Sequence, residues 1–218
     1  MVLLSPSISA LRKMLAECEA YAVEHGLRYN SKKTEIVIFE SRGKTPSYVP
    51  PVSLDGNVLN VVCKFKYLGH IVTSNLKDDL DIERERRALA VRGNMLARRF
   101  AKCSKQVKIT LFKAFCQVFY TSSLWVDYTQ RAYNALRIQY NNVFRTLLKL
   151  PRFCSASLMF AQEHTDDFYA IRRKRIASLL SRLRASCNSV LSIIACKMDC
   201  PILKYWVGLL IRKPTNID

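Results

Sequence analysis

Apolar residues recur at helical spacing near the start of the chain: Ile8, Leu11, Leu15, Cys18 and Ala22, with Met14 and Tyr21 widening the stripe. That period predicts an amphipathic helix. Ser7 or Ser9 is placed to cap its start and Gly26 to stop it. The pattern then shortens. Glu35-Ile36-Val37-Ile38-Phe39 is brief, apolar and β-branched, which predicts a buried strand. Residues 52–59 set Asp55-Gly56-Asn57 between two short apolar arms, a hairpin pattern. Residues 61–72 hold a further strand pair, broken at Gly69, where glycine permits a tight turn. Residues 41–51 carry Gly43, Pro46, Pro50 and Pro51 and read as loop.

After Asp78 the period becomes helical. Residues 81–100 put Ile82, Leu89, Leu96 and Phe100 on one face and a dense set of arginines, including Arg84, Arg87, Arg98 and Arg99, on the other. Residues 105–126 repeat Val107, Leu111, Ala114, Phe115, Val118 and Ser122. Residues 132–150 carry Leu136, Tyr140, Val143, Phe144 and Leu147, with Pro151 as the stop. A short helix is predicted over 155–162. Residues 166–186 follow, with Phe168, Ile171, Leu179 and Leu183 apolar and Asp166 and Asp167 suited to the positive end of the helix. Residues 189–196 are a last candidate before Pro201. The expected fold class is α+β. Residues 1–76 form a helix with a small antiparallel sheet, and residues 77–218 form a basic bundle of five or six helices.

Length and composition fit this division. The chain has 218 residues, enough for one large or two small domains, and half of them are apolar, which excludes a wholly disordered polypeptide. The net charge is +18, shared unevenly: +2 over residues 1–80 and +16 over 81–218. Such an excess points to a polyanionic partner, nucleic acid first and an anionic membrane surface second. A membrane span is not expected. The longest uncharged apolar stretch in the middle of the chain, 114–126, is thirteen residues, against the ~20 that a span needs. The first six residues lack the basic segment and apolar length of a secretory signal. The expected location is therefore intracellular, nucleus or cytoplasm. The eight scattered cysteines read as reduced thiols used as small hydrophobes.

Little in the sequence points to catalytic chemistry directly. His25, His70 and His164 are too far apart for a histidine-based metal site, and Cys187, Cys196 and Cys200 contain no C-x-x-C pair. There is no phosphate-binding glycine loop. Asp78, Asp79 and Asp81 are close enough in sequence to attract Mg²⁺. Their position before a helix favours the plainer role of acidic residues at a helix N-terminus.

Two segments are more specific. One runs Gly26-Leu27-Arg28-Tyr29-Asn30-Ser31-Lys32-Lys33-Thr34-Glu35-Ile36-Val37-Ile38-Phe39; the other is Phe65-Lys66-Tyr67-Leu68-Gly69-His70-Ile71-Val72. Here the chain resembles reverse transcriptases of non-LTR retrotransposons, the jockey-like elements in particular. The first segment is similar to the family's G-L-x-x-N-x-x-K-T-x-x-x-x-F stretch, motif D. The second is similar to F-K-Y-L-G, motif E or primer grip. The two follow the family's catalytic motif in this order. The helical region, with Asn134-Ala135-Leu136-Arg137 and Asn142-Val143-Phe144-Arg145, loosely resembles the thumb.

The resemblance implies that Lys33 neutralises or protonates departing pyrophosphate, an accessory catalytic role that suits a cation beside a leaving phosphate. It implies that Phe65, Lys66, Tyr67, Leu68 and Gly69 hold the primer end, and that Arg84, Arg87, Arg98 and Arg99 contact the duplex. On residue chemistry alone, Lys33 is equally a solvated loop lysine, and the second segment equally a hairpin with a buried face. One departure matters. In the family, a Tyr-Ala-Asp-Asp type motif precedes a stretch like Val2-Leu3-Leu4, and here those aspartates are missing, as is the earlier one. Two-metal phosphoryl transfer needs such carboxylates, and none of Asp55, Asp78, Asp79 or Asp81 matches them. The chain is thus expected to hold part of a palm plus a thumb, truncated after the catalytic motif. It should bind no cofactor itself, with Mg²⁺ expected only for the full-length enzyme. It should be inactive alone and bind RNA or DNA as primer–template duplex, with the polymerase's N-terminal half a possible partner. The alternative is a non-enzymatic basic helical RNA- or DNA-binding protein. A membrane-surface binder is a weaker third reading.

Overall fold

A computed structural model describes residues 1–41, 44, 46–196 and 200–211. Gly43 of the expected loop and the last seven residues of the basic region lie outside the described residues. The chain divides into two compact units, Met1–Lys77 and Asp78–Asp218.

In the first unit, helix α1 (Ile8–Glu24) begins at Ser7, whose side chain accepts the Ala10 N–H. It ends with Gly26 at φ +63° and the Leu27 N–H bonded back to the Ala22 carbonyl at 2.8 Å. That closure satisfies carbonyls that the helix end leaves open, and glycine adopts the left-handed conformation without a Cβ penalty. The buried face of α1 meets Val52, Leu54 and Leu59 through Leu15. Two polar contacts fasten the same face: Arg12 donates to the Pro51 carbonyl at 2.7 Å, and the Asp55 N–H donates to Glu19 at 2.6 Å.

The strands are short. β1 (Glu35–Ile36) pairs in parallel with β4 (Asn60–Val61). β2 (Ser53–Leu54) and β3 (Asn57–Val58) form an antiparallel hairpin across Asp55 and Gly56, both at positive φ. β5 (Lys64–Tyr67) and β6 (His70–Thr73) form another across Leu68 and Gly69. The expectation of one antiparallel sheet is corrected here. Among the described residues there are three separate two-stranded pieces, one of them parallel. The expected 35–39 strand keeps ladder partners only at its first two residues. A parallel pair needs an even number of reversals between its strands, so the β2–β3 hairpin is not the single reversal between β1 and β4.

The second unit is helical: α2 (Asp79–Arg99), α3 (Lys105–Cys116), α4 (Gln130–Leu148), α5 (Ala156–Gln162), α6 (Phe168–Arg184), α7 (Ser189–Cys196) and α8 (Pro201–Ile211). Its core joins Ile82, Leu89 and Leu96 of α2 to Phe112 of α3 and Leu136, Tyr140 and Phe144 of α4. Aromatic rings knit it: Phe112 meets Phe144 at 4.7 Å and Phe144 meets Phe160 at 4.7 Å, in tilted and edge-on arrangements that suit ring quadrupoles. Cys116 is wholly buried in this core, and burial pushes its thiol up to about 11.

Three expectations for this unit are revised. The helix expected over 105–126 stops at Cys116, and its inward face is Lys108, Ile109, Phe112 and Cys116 rather than the stripe through Val107, Phe115 and Val118, which are exposed. Both faces of that segment are apolar, so periodicity alone does not choose between them; the aromatic wall of α4 does. Pro201 starts a helix instead of lying beyond the last one, because proline fits the first turn, where its missing N–H costs nothing. The unit therefore has seven helices among the described residues, not five or six. No helix among the described residues is long and apolar enough to cross a membrane.

The α2–α4 contact is closest at Gly93. A Cβ built there would lie 2.6 and 2.7 Å from the two γ-carbons of Val143. Gly93→Ala should therefore cost about 1–3 kcal/mol through overpacking. Combining it with Val143→Ala, which removes the clashing methyls, should cost less than the sum of the two single changes. Urea melts of the three variants measure this, and strict additivity would contradict the contact.

Candidate nucleic-acid interface

In the first unit, Asn30 turns the chain into β1. Its side chain accepts the Lys33 N–H at 3.2 Å, closing a 3-10 turn over Ser31–Lys33 that ends immediately before β1. Lys33 is exposed on this turn. Thirty residues on, the β5–β6 hairpin needs positive φ at both loop positions, and it has Leu68 at 46° and Gly69 at 86°. Glycine takes this conformation freely, but leucine is strained in it. Lys33, Phe65, Lys66 and Tyr67 line one cleft of about 1120 Å³, with α1 and the segment before it forming other parts of the wall. The lining is largely apolar, with Asn30, Lys33, Thr34, Glu35 and Lys66 among its polar members. Leu68 is exposed at the hairpin tip.

In the second unit, the arginines of α2 divide by direction. Arg84 is drawn inward. Its guanidinium donates to Asp81 at 2.8 Å, to Glu85 at 3.2 Å and to Thr121 at 3.2 Å, so this half-buried arginine is engaged by the protein's own groups. Arg87, Arg98 and Arg99 are exposed. Arg87 and Arg98 lie three turns apart on the face opposite Leu89 and Leu96, about 16 Å from each other along the axis. Arg87 also shares Glu83 with Arg86, at 2.8 and 2.6 Å. Those hydrogen bonds, Arg86 first, outweigh partial burial and hold the Glu83 carboxyl at about 2.

The acidic cluster stands at the start of α2, with Asp79 and Asp81 in the first turn, and its carboxylates bind groups far along the chain. Asp78 stands at the N-cap position of α2 but makes no side-chain bond to the helix; its carboxylate accepts the N–H groups of Val126 at 2.7 Å and Asp127 at 3.1 Å. Asp79 accepts the Thr129 N–H at 3.0 Å. Asp81 is fully buried and accepts from Arg84, from Thr121 at 2.7 Å and from the Trp125 indole at 2.8 Å. The three carboxylates fasten the segment after α3. Among the described residues, no group of three or more histidines, cysteines or acids is arranged to hold a metal ion.

No family model, curated protein or solved structure matches the chain. The site is therefore defined by its own residues. Two features escaped the sequence reading. One is the Asp81–Glu85 pair on the buried stripe, visible in principle because charges recur there at helical spacing with Ile82 and Leu89. The other is the turn after α4, where Phe153 stands between Arg152 and Cys154.

Two measurements probe these arrangements. Leu68→Gly should raise stability by about 1 kcal/mol in denaturant melts, because it removes left-handed strain from a non-glycine residue. Glu83→Gln should lower stability at pH 7 by up to about 1 kcal/mol, as for a partly exposed ion pair. Because the folded carboxyl lies below the ordinary value, that stabilisation is complete above pH ~4.5 and is lost as pH falls toward 2. The gap between wild type and variant should therefore close in acid, and a gap that widens would contradict the ion pair.

Proposed function

We propose that the chain is the palm-and-thumb portion of a retrotransposon-type RNA-directed DNA polymerase, binding primer–template nucleic acid and not polymerising by itself. The observation that carries this reading is the shared cleft. Two segments thirty residues apart, which resemble the pyrophosphate-side and primer-side motifs of one active centre, line the same cavity. In this reading Lys33 lines the cleft where a cation would offset charge on departing pyrophosphate. The β5–β6 hairpin presents Lys66, Tyr67 and Leu68 to the primer end. The largely apolar remainder of the cleft, beside exposed Met1, Val2 and Leu4, suits closure by the other half of such a polymerase.

Duplex binding rests on the second unit. Arg87, Arg98 and Arg99 are presented outward from a helix whose other face is fixed in the core. Phosphate contacts of this kind are independent of sequence and release counterions. Asp78, Asp79 and Asp81 are engaged by protein donors, so these three carboxylates are not free to hold the ions of two-metal transfer. The same outward arginines favour the second reading, a basic helical RNA- or DNA-binding protein without a polymerase role.

Mobility shifts over a salt series should give a log–log slope of about −4 to −5, as four to six phosphate contacts require, with little sequence preference. Replacing Arg98 and Arg99 by alanine should reduce that slope by about 2. Pure protein should extend no primer with Mg²⁺ or Mn²⁺. Nucleotide incorporation would overturn the inactive assignment, and salt-insensitive binding, or none, would overturn the nucleic-acid role. A Lys66→Ala variant that weakens binding to recessed primer ends more than to uninterrupted duplex would favour the polymerase reading over the second.

A further inference from the structure

The turn between α4 and α5 holds the most exposed large apolar side chain among the described residues, Phe153, at 91%. A single exposed apolar residue is ordinary on protein surfaces. The way this one is held is less so. Lys149 closes α4 in the left-handed conformation, φ 56°, and the Leu150 N–H returns to the Arg145 carbonyl at 2.9 Å. The Cys154 N–H bonds to the Pro151 carbonyl at 3.1 Å. Arg145 then grips the Cys154 carbonyl with two donors, Nε at 3.2 Å and Nη2 at 2.8 Å, while its third bond goes to Asn142 at 3.1 Å. Leu150 and Cys154 pack against the core on either side. Both ends of the turn are thus anchored, proline stiffens its middle, and Phe153 projects into solvent.

The surroundings are cationic. Lys149 and Arg152 are exposed beside Phe153. No acidic residue occurs between Asp127 and Glu163, a stretch that carries Arg131, Arg137, Arg145, Lys149 and Arg152. An aromatic ring carried on an anchored turn between cations matches a nucleobase with its phosphates. The ring stacks on the base, every base offers a π-face, and the cations meet the backbone. Anchoring matters because an ordered platform loses less entropy on binding.

We infer that Phe153, with Lys149 and Arg152, is a stacking platform for an unpaired base of a nucleic-acid strand. This rests on the nucleic-acid reading above and adds a strand preference to it. Within a duplex both faces of each base are covered by its neighbours, so the ring can stack only on single-stranded nucleotides or on a terminal base. An acidic protein partner would match the cations but leaves the bare ring without a stated counterpart.

The test uses the full chain, a twelve-nucleotide single-stranded dT oligomer and an abasic oligomer of the same length. Phe153→Ala should weaken dT binding about tenfold, within the range for loss of one aromatic–base stack, and should leave abasic binding unchanged. The two native tryptophans, Trp125 and Trp206, are buried. Phe153→Trp therefore adds one exposed indole, and it should keep wild-type affinity and lose fluorescence on dT but not on the abasic strand. Equal dT affinity in Phe153→Ala and wild type, or equal quenching by both oligomers, would overturn the platform while leaving the nucleic-acid reading intact. Absence of binding to either oligomer or to duplex would overturn both. Self-association of wild type that Phe153→Ala abolishes would reassign the ring to a protein contact and overturn the platform.

Discussion

The carboxylate of Asp81 has no solvent-exposed surface, and three donors converge on it from two parts of the second unit: Arg84 from its own helix, Thr121 and the Trp125 indole from the segment after α3. A buried charge is tolerated only when it is hydrogen-bonded and paired. Residues 117–129 are not helical, and within them Thr121 and Trp125 both turn toward Asp81. Asp78 and Asp79 extend the same constraint to the amides of Val126, Asp127 and Thr129. Thr129 then caps α4 by accepting the Ala132 N–H. Removing one partner of such a group typically costs about 3–5 kcal/mol, because the charge left behind stays buried. The segment that leads into α4 is therefore held by three aspartates, with Asp79 on Thr129 itself.

The basic composition of this unit is not one surface. Arg84 and Arg92 serve the buried Glu85, and Arg145 fixes the turn after α4. Arg172 is buried, and among the described residues its hydrogen bonds go to no carboxylate. It lies 4.9 Å from the Tyr128 ring and 4.8 Å from the Tyr133 ring, and it donates to the Tyr128 and Tyr205 hydroxyls and the Trp125 carbonyl. Those contacts tie α8 to α6 and to the segment that Asp81 holds. Guanidinium suits this work because its planar face stacks on rings while its edge donates several bonds. The arginines left outside, Arg87, Arg98 and Arg99 among them, are the ones available to a polyanion.

The first unit is built differently. Two-stranded pieces have little stability of their own, and here they are held by α1 and by the small core around Leu15, Val52, Leu54 and Leu59. The parallel β1–β4 pair brings the end of the Asn30 turn beside the second hairpin arm. The cleft that collects Lys33 and Phe65–Tyr67 follows from this arrangement.

The sequence by itself determined the α+β character, the passage from short strands to helices near residue 77, and most helix positions. Ser7, Gly26 and the Asp55-Gly56 turn act through local backbone geometry, which neighbouring residues fix without help from the fold. The strong stripe of α4, Leu136 through Leu147, was legible because only one of its faces is apolar. Three things were decided by tertiary structure. α3 has apolar residues on both faces, and only its neighbours select Phe112 over Phe115. The acidic run at 78–81 does start a helix, as its sequence position suggested, but the groups its carboxylates bind lie forty to fifty residues away, beyond any local pattern. The destination of each arginine was also hidden, because a guanidinium reads alike in sequence whether a carboxylate, a ring or solvent receives it, and only packing brings one of these within reach.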